Sequence, residues 1–290
     1  MRLETDGTPP TDWRDLDRAA LSRAYDNAGA VADSAARLAD WSARSAALRA
    51  RPGHTLDLPY DPGPPHAAGP RNRIDLFACG RAGAPLLAFI HGGYWQRNAK
   101  EGFACLAEGP LALGLDVALI GYTLAPEASL TRIADEIRAA LHALRAHDAA
   151  VGLGRRRLVV SGWSAGGHLA ALALDGPDAD AGLAISGIYD LAPIRRTSLD
   201  DALRLTPGEV EALSPIRLAP RRFVPLVVAY GADELPELRR QSKAYAAARA
   251  AVEPETRCVA LDGADHFSIL EALAHPDGRL ARIAAALGHS

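Results

Sequence analysis

The sequence predicts an α/β fold, with a mostly parallel central sheet and helices on both faces. Three observations carry that expectation. From Arg73 onward, short apolar runs alternate with stretches of helical period. The apolar runs do not alternate with polar residues, so both of their faces are covered, as in parallel sheets flanked by helices. Several of the runs close on glycine turns, as at His91-Gly92-Gly93 and at Gly162, where a strand can hand over to a helix.

The elements follow in chain order. Asp15–Ala50 is rich in Ala, Leu and Arg, lacks proline, and spreads Leu21, Tyr25, Val31, Leu38, Trp41 and Leu48 along its length. It reads as helix, with Gly29 as a break. Pro52–Pro70 is dense in proline and glycine and reads as a connector, with room for an edge strand around Leu56–Tyr60. About fifty residues of helix would bury too little surface to fold alone, so residues 1–290 read as one domain with an N-terminal helical cap. Ile74–Ala78, Pro85–Ile90 and Val117–Gly121 read as strands. Leu130–His147 reads as a helix, with Ile133, Ile137, Leu141 and Leu144 on one face. Arg157–Ser161 is a strand, and Gly166–Leu174 is the helix after it. Gly182–Ser186, Val224–Tyr230 and Cys258–Leu261 are further strands, and Glu237–Ala250 and Leu280–Leu287 are helices.

Composition narrows the class. Hydrophobic residues make up 49% and charged residues 23% of the 290, the balance of a globular chain with a core. A net charge of -3 offers no basic field for nucleic acid. Cys79, Cys105 and Cys258 are odd in number, widely spaced and without a C-x-x-C pair, so they form neither a disulfide framework nor a zinc site and read as buried, reduced thiols. Met1–Asp17 is polar and lacks the apolar core of a leader. No apolar run reaches the roughly 18 residues of a membrane helix. The expectation is a soluble cytoplasmic protein acting on a small molecule, with no metal, no cofactor and no nucleic-acid or membrane partner. A homodimer is left open.

The sharpest motif is Gly162-Trp163-Ser164-Ala165-Gly166, which fits G-x-S-x-G, the nucleophile elbow. Its glycines are needed because backbones approach closely on either side of a strained turn. Ser164 is the candidate nucleophile, and the strand before it and apolar helix after it supply the context the motif requires. The second motif, His91-Gly92-Gly93-Tyr94-Trp95, directly follows an apolar strand. The N–H groups of Gly92, Gly93 and Ala165 can surround a developing oxyanion. His91 reads as structural, and Tyr94, Trp95 and Trp163 as candidates for the substrate pocket wall.

A serine hydroxyl needs a base, and the order on such a sheet is Ser, acid, His. His266, in the loop after Cys258–Leu261, fits; His275 lies in or at the end of a helix, away from the sheet edge, and His168 faces away from the hydroxyl. The acid follows Val224–Tyr230, where Asp233 and Glu234 are adjacent; motif spacing alone slightly favours Asp233. Glu237 opens a helix and suits its N-terminal dipole. Gly152-Leu153-Gly154 is too short a glycine pattern for a dinucleotide loop, and Arg155–Arg157 reads as a solvated turn.

Together, His91-Gly92-Gly93-Tyr94-Trp95-Gln96, Ser161–His168, Ile188-Tyr189-Asp190-Leu191, Leu213-Ser214-Pro215, Glu234–Ser242 and Asp265-His266-Phe267 resemble the serine-dependent kynurenine formamidases (arylformamidases) of the α/β-hydrolase superfamily, near the hormone-sensitive-lipase-like esterases. The resemblance spans about Leu21 to Leu273. It implies an α/β-hydrolase fold, moves the preferred acid from Asp233 to Glu234, and implies hydrolysis of N-formyl-L-kynurenine to kynurenine and formate in tryptophan breakdown. Trp163 departs from the histidine that often precedes the nucleophile in animal members. The alternatives are a general carboxylesterase with the same triad and, more remotely, a ligand-binding protein on a hydrolase scaffold.

Overall fold

The computed structural model describes residues 12–290. Met1–Thr11 lie outside the described residues, and with them most of the segment read as lacking an apolar leader. Eight strands form one sheet in the order β1-β2-β4-β3-β5-β6-β7-β8. They are β1 Thr55–Pro59, β2 Arg73–Phe77, β3 Leu86–Ile90, β4 Asp116–Ile120, β5 Leu158–Trp163, β6 Ala181–Ile185, β7 Leu226–Gly231 and β8 Thr256–Leu261. β2 runs antiparallel to both β1 and β4. Every pairing from β4 through to β8 is parallel.

Strand periodicity divides the core. Leu86, Ala88 and Ile90 of β3 face one apolar layer, and Leu87 and Phe89 face the other. The first layer packs against a helix at Leu130–Ala150 through Ile133, Ile137, Leu141 and Leu144. The second packs against the C-terminal helix Arg279–His289 through Leu280, Ala284 and Leu287. Among the described residues, no helix is long and apolar enough to cross a membrane.

The N-terminal segment departs from the single broken helix expected. It forms three helices: α1 Arg18–Ala24, α2 Asn27–Ala30 and α3 Ser34–Arg49. Asp17 and Asp26 explain the first two starts. Each is an N-cap whose carboxylate accepts from the backbone three residues on, at Ala20 and Gly29. Two short helices, Asp200–Leu203 and Pro207–Leu213, were not expected. The second had a readable signal, the Thr206/Glu209 capping box. β7 starts at Leu226, after Pro225.

Two composition-level readings need correction. Only Cys105 is buried; Cys79 is half-buried and Cys258 is exposed beside exposed Arg257 on edge strand β8, which is covered less completely than the strands inside the sheet. Arg155–Arg157 is not a wholly solvated turn either. Arg156 is buried and held by Asp148 and Asp116, since a buried guanidinium must be paired.

Candidate active site

Ser164 sits between β5 and the helix α4, Ala165–Ala173. Its φ of 57° and ψ of −118° are a strained conformation for a residue with a Cβ. The glycines beside it make the turn possible. A Cβ at Gly162 would lie 2.2 Å from the carbonyl oxygen of Gly166, and one at Gly166 would lie 2.0 Å from that of Ile90. The turn leaves the N–H of Ala165 at the start of α4, where no earlier helical carbonyl exists to receive it.

The loop after β3 is also under constraint. Gly93 has φ 119°, and Tyr94 and Trp95 follow at 51° and 59°. His91 Nδ1 and Asn98 Nδ2 both donate to the carbonyl of Gly92, at 2.9 and 3.1 Å. The N–H of Gly93 belongs to the same planar peptide and points the opposite way, and Gly93 lines the cavity that Ser164 lines. Gly92 has no room for a side chain, because a Cβ there would meet Trp163 at 2.6 Å. His91 is stacked between Phe103 and Tyr122, and burial pushes its pKa down to about 4. It packs as a neutral ring.

His266 stands in the loop after β8, buried at 3% exposure. Its Nδ1 lies 3.2 Å from Oε2 of Glu234. A carboxylate only accepts, so Nδ1 carries the proton and Nε2 is left as an acceptor. Glu234 Oε1 in turn accepts from Ser186 Oγ at 2.5 Å and from the N–H of Gly231 at 2.6 Å. Asp233, its neighbour, is exposed and does not reach the imidazole. Adjacent side chains in a turn diverge, and here only the second enters the core. Trp163 donates Nε1–H to the carbonyl of His266 at 2.7 Å and lies 5.0 Å from its ring.

Ser164 and His266 line one cavity of about 390 Å³, within the ~300–1,000 Å³ span of small-molecule sites. Tyr94, Trp163 and Phe267 contribute its aromatic wall, Arg23, Asp26 and Arg97 its charges, and Asn27 and Leu38 its N-terminal side. Trp95 is not on that wall, which corrects the expectation made for it. It is fully buried and packs edge-on against His168, because left-handed Tyr94 and Trp95 turn consecutive side chains to different sides. His168 makes its own contact to the carbonyl of Leu213 at 2.7 Å. His275 pairs with Glu271 on the surface.

Sequence reasoning missed Asn27, Tyr25 and Ser186 in this neighbourhood. Asn27 Nδ2 lies 2.9 Å from Tyr94 Oη and 3.2 Å from His266 Nε2. Tyr25 donates to Glu237 at 2.9 Å. The conspicuous strings in the sequence converge as well: Gln241 Oε1 accepts from the N–H of Tyr189 and Asp190, and Ser214 Oγ from that of Leu191.

A serine on an elbow, a buried imidazole held by a carboxylate and a glycine loop at one cavity can carry out acyl transfer. The comparisons agree with that architecture. The family model described as BD-FAE matches residues 74–179. A kynurenine formamidase of Danio rerio is 28% identical over 91% of this chain and 94% of its own length. One of Salmo salar is 28% identical over 76% of this chain and 79% of its own. Esterase LipC of Mycobacterium tuberculosis is 28% identical over 65% of this chain and 54% of its own. Among solved structures, one from Silicibacter sp., whose thioesterase label is provisional, has a TM-score of 0.80 at 28% identity, covering 93% of this chain and 99% of that one. An esterase of Pyrobaculum calidifontis has a TM-score of 0.70 at 18% identity, covering 88% and 92%, and shares the fold. The chain is a hydrolase of the α/β-hydrolase superfamily. It is similar to proteins named kynurenine formamidase over most of its length and to esterases over about two thirds of it.

Proposed function

We propose that this chain hydrolyses N-formyl aryl amides, N-formyl-L-kynurenine foremost, through an acyl-serine intermediate. The observation that carries the reading is the Glu234–His266 pair set beside Ser164 on one aromatic-walled cavity. Ser164 Oγ attacks the formyl carbonyl as His266 Nε2 takes its proton. Glu234 keeps the other ring proton on Nδ1 and stabilises the imidazolium. The N–H groups of Gly92, Gly93 and Ala165 receive the oxyanion. The C–N bond then breaks as Nε2 protonates the departing aryl amine. Water, with His266 again as base, attacks the formyl-serine and releases formate.

Relatives named kynurenine formamidase along most of the chain support the formamide. Arg23, Arg97 and Asp26 supply charges of both signs on the cavity, which suits a substrate with an amino-acid head. Cytoplasmic residence belongs to the same reading, and free thiols at Cys79, Cys105 and Cys258 agree with it. A second reading, a general carboxylesterase, is favoured by the match to an esterase, since the same triad serves esters.

The test compares native protein with Ser164→Ala on N-formyl-L-kynurenine and on aryl esters from acetate to octanoate. The formamidase reading expects formate and kynurenine from the native chain, none from Ser164→Ala, and ester rates that fall as the acyl chain lengthens. Ester turnover without formamide turnover would leave the carboxylesterase.

A further inference from the structure

Asn27 has no part in the steps above, yet it stands beside the atom that moves the protons. It opens α2, is 3% exposed, and lines the same cavity as Ser164. Its orientation follows from its partners. The Tyr94 hydroxyl donates to the carbonyl of Tyr25 at 2.5 Å, so its oxygen is left to accept, and Asn27 Nδ2 supplies the hydrogen. The second Nδ2 hydrogen faces His266 Nε2, the ring nitrogen left without a proton. Both Nδ2 hydrogens are thereby placed. Oδ1 is buried and has no partner among the described residues. A buried acceptor without a donor costs about 1–3 kcal/mol, so a ligand that brings a donor is favoured there.

The chemistry says which donor. To be protonated by Nε2, the leaving atom must come within hydrogen-bond reach of it, and Asn27 lies 3.2 Å from Nε2. The leaving nitrogen of a secondary formamide carries a hydrogen that the reaction does not use. The leaving oxygen of an ester carries none. We propose that Asn27 is a specificity-determining residue: its Oδ1 accepts the N–H of the leaving nitrogen and so selects amides over esters. The proposal rests on the serine-hydrolase reading above and deepens it. Only the contact to the leaving group is new; attack by Ser164 and the oxyanion contacts do not involve it.

The experiment uses Asn27→Leu and Asn27→Ala in the full chain, with three readouts: formanilide hydrolysis, p-nitrophenyl acetate hydrolysis, and the rate at which a fluorophosphonate labels Ser164. The expected result is a fall in kcat/KM for formanilide of roughly tenfold, carried mainly by kcat. Because Asn27 also contacts His266 Nε2, ester hydrolysis and labelling should fall too, but by a smaller factor, so that the ratio of formanilide to ester kcat/KM drops in both variants. An equal fall for amide and ester overturns the proposal, as does a fall in labelling that matches the loss of amide turnover, because Asn27 would then only hold the imidazole. Whichever of the two variants folds decides the matter, since each lacks the amide. Failure of the native chain to label at all would overturn the serine-hydrolase reading instead, so the two failures are told apart.

Discussion

Substituting Glu234 by glutamine alters one atom and should nearly abolish turnover, for a reason the surrounding bonds dictate. One oxygen of Glu234 faces two donors, the hydroxyl of Ser186 at 2.5 Å and the N–H of Gly231 at 2.6 Å. The Ser186 hydroxyl can rotate and accept, but the backbone N–H cannot. The amide oxygen of a glutamine must therefore take the Gly231 side. Its NH2 is then forced towards His266 Nδ1, where the carboxylate now accepts at 3.2 Å. A donor there requires Nδ1 to accept, so the ring proton moves to Nε2 and the base has no lone pair for the Ser164 proton. Removing the correct tautomer while keeping the geometry costs about 10⁴ in kcat where it has been examined in a serine protease. The expected outcome for Glu234→Gln is a fall in kcat of about 10³–10⁴. Asp233→Asn, at the exposed neighbour, should remain close to native. Stopped-flow or steady-state hydrolysis of an aryl ester measures both. If Glu234→Gln kept kcat within tenfold of native, or Asp233→Asn lost more than Glu234→Gln, the tautomer argument would fail.

Three further outcomes follow from the geometry. Gly166→Ala places a methyl 2.0 Å from the Ile90 carbonyl, which is backbone and cannot swing away; overpacking of this kind costs about 1–3 kcal/mol or more, and a thermal melt should show a drop of several degrees together with lost activity. His91 and His168 are both held near pKa 4 by burial. Because these folded values lie below the unfolded one of about 6.5, their contribution is complete above that pH and is lost as pH falls from there through about 4. Unfolding free energies measured at several pH values should decline across that window, with a shallower slope in His168→Gln; a slope unchanged in that variant would count against the burial argument. Trp163→Phe keeps an aromatic wall but removes the N–H that holds the His266 carbonyl at 2.7 Å. Turnover should fall about tenfold, and native turnover in this variant would mean the bond does not position the imidazole.

What was legible in the sequence was what local geometry demands. The elbow could be read because Gly162 and Gly166 are required by contacts a few residues away or on the adjoining strand. The parallel strands could be read because burial on both faces removes polar alternation. The acid was half legible: composition places a carboxylate after β7, but Asp233 and Glu234 differ only in which way a turn points them. Trp95 was misread for the same reason, since nothing in the sequence announces left-handed backbone at Tyr94 and Trp95. Asn27 was invisible because its partner His266 is 239 residues away, and because Asp26 and Asn27 sit in a stretch whose apolar spacing resembles one helix. Asp17 and Asp26 were available as cap signals that would have divided that stretch.

The hydrogen bonds that complete the site also fix how its N-terminal wall behaves. Glu237 and Gln241 lie on the helix Pro236–Ala250, which begins two residues after Glu234. Glu237 accepts from Tyr25 Oη, and Tyr25 Oη in turn accepts from Gln241 Nε2 at 2.7 Å. The carbonyl of Tyr25 accepts from Tyr94, Tyr94 accepts from Asn27, and Asn27 reaches His266. His266 returns to Glu234. This run of bonds reaches from Glu237 to Glu234, and its members Tyr25, Tyr94, Asn27, His266, Glu234, Glu237 and Gln241 are all buried. Swinging α1 and α2 away would strip several of these groups of their partners at once, at about 1–3 kcal/mol each. A wall held that firmly is a fixed part of the candidate cavity and not a lid. The N-terminal segment thus sets the shape of the space beside His266.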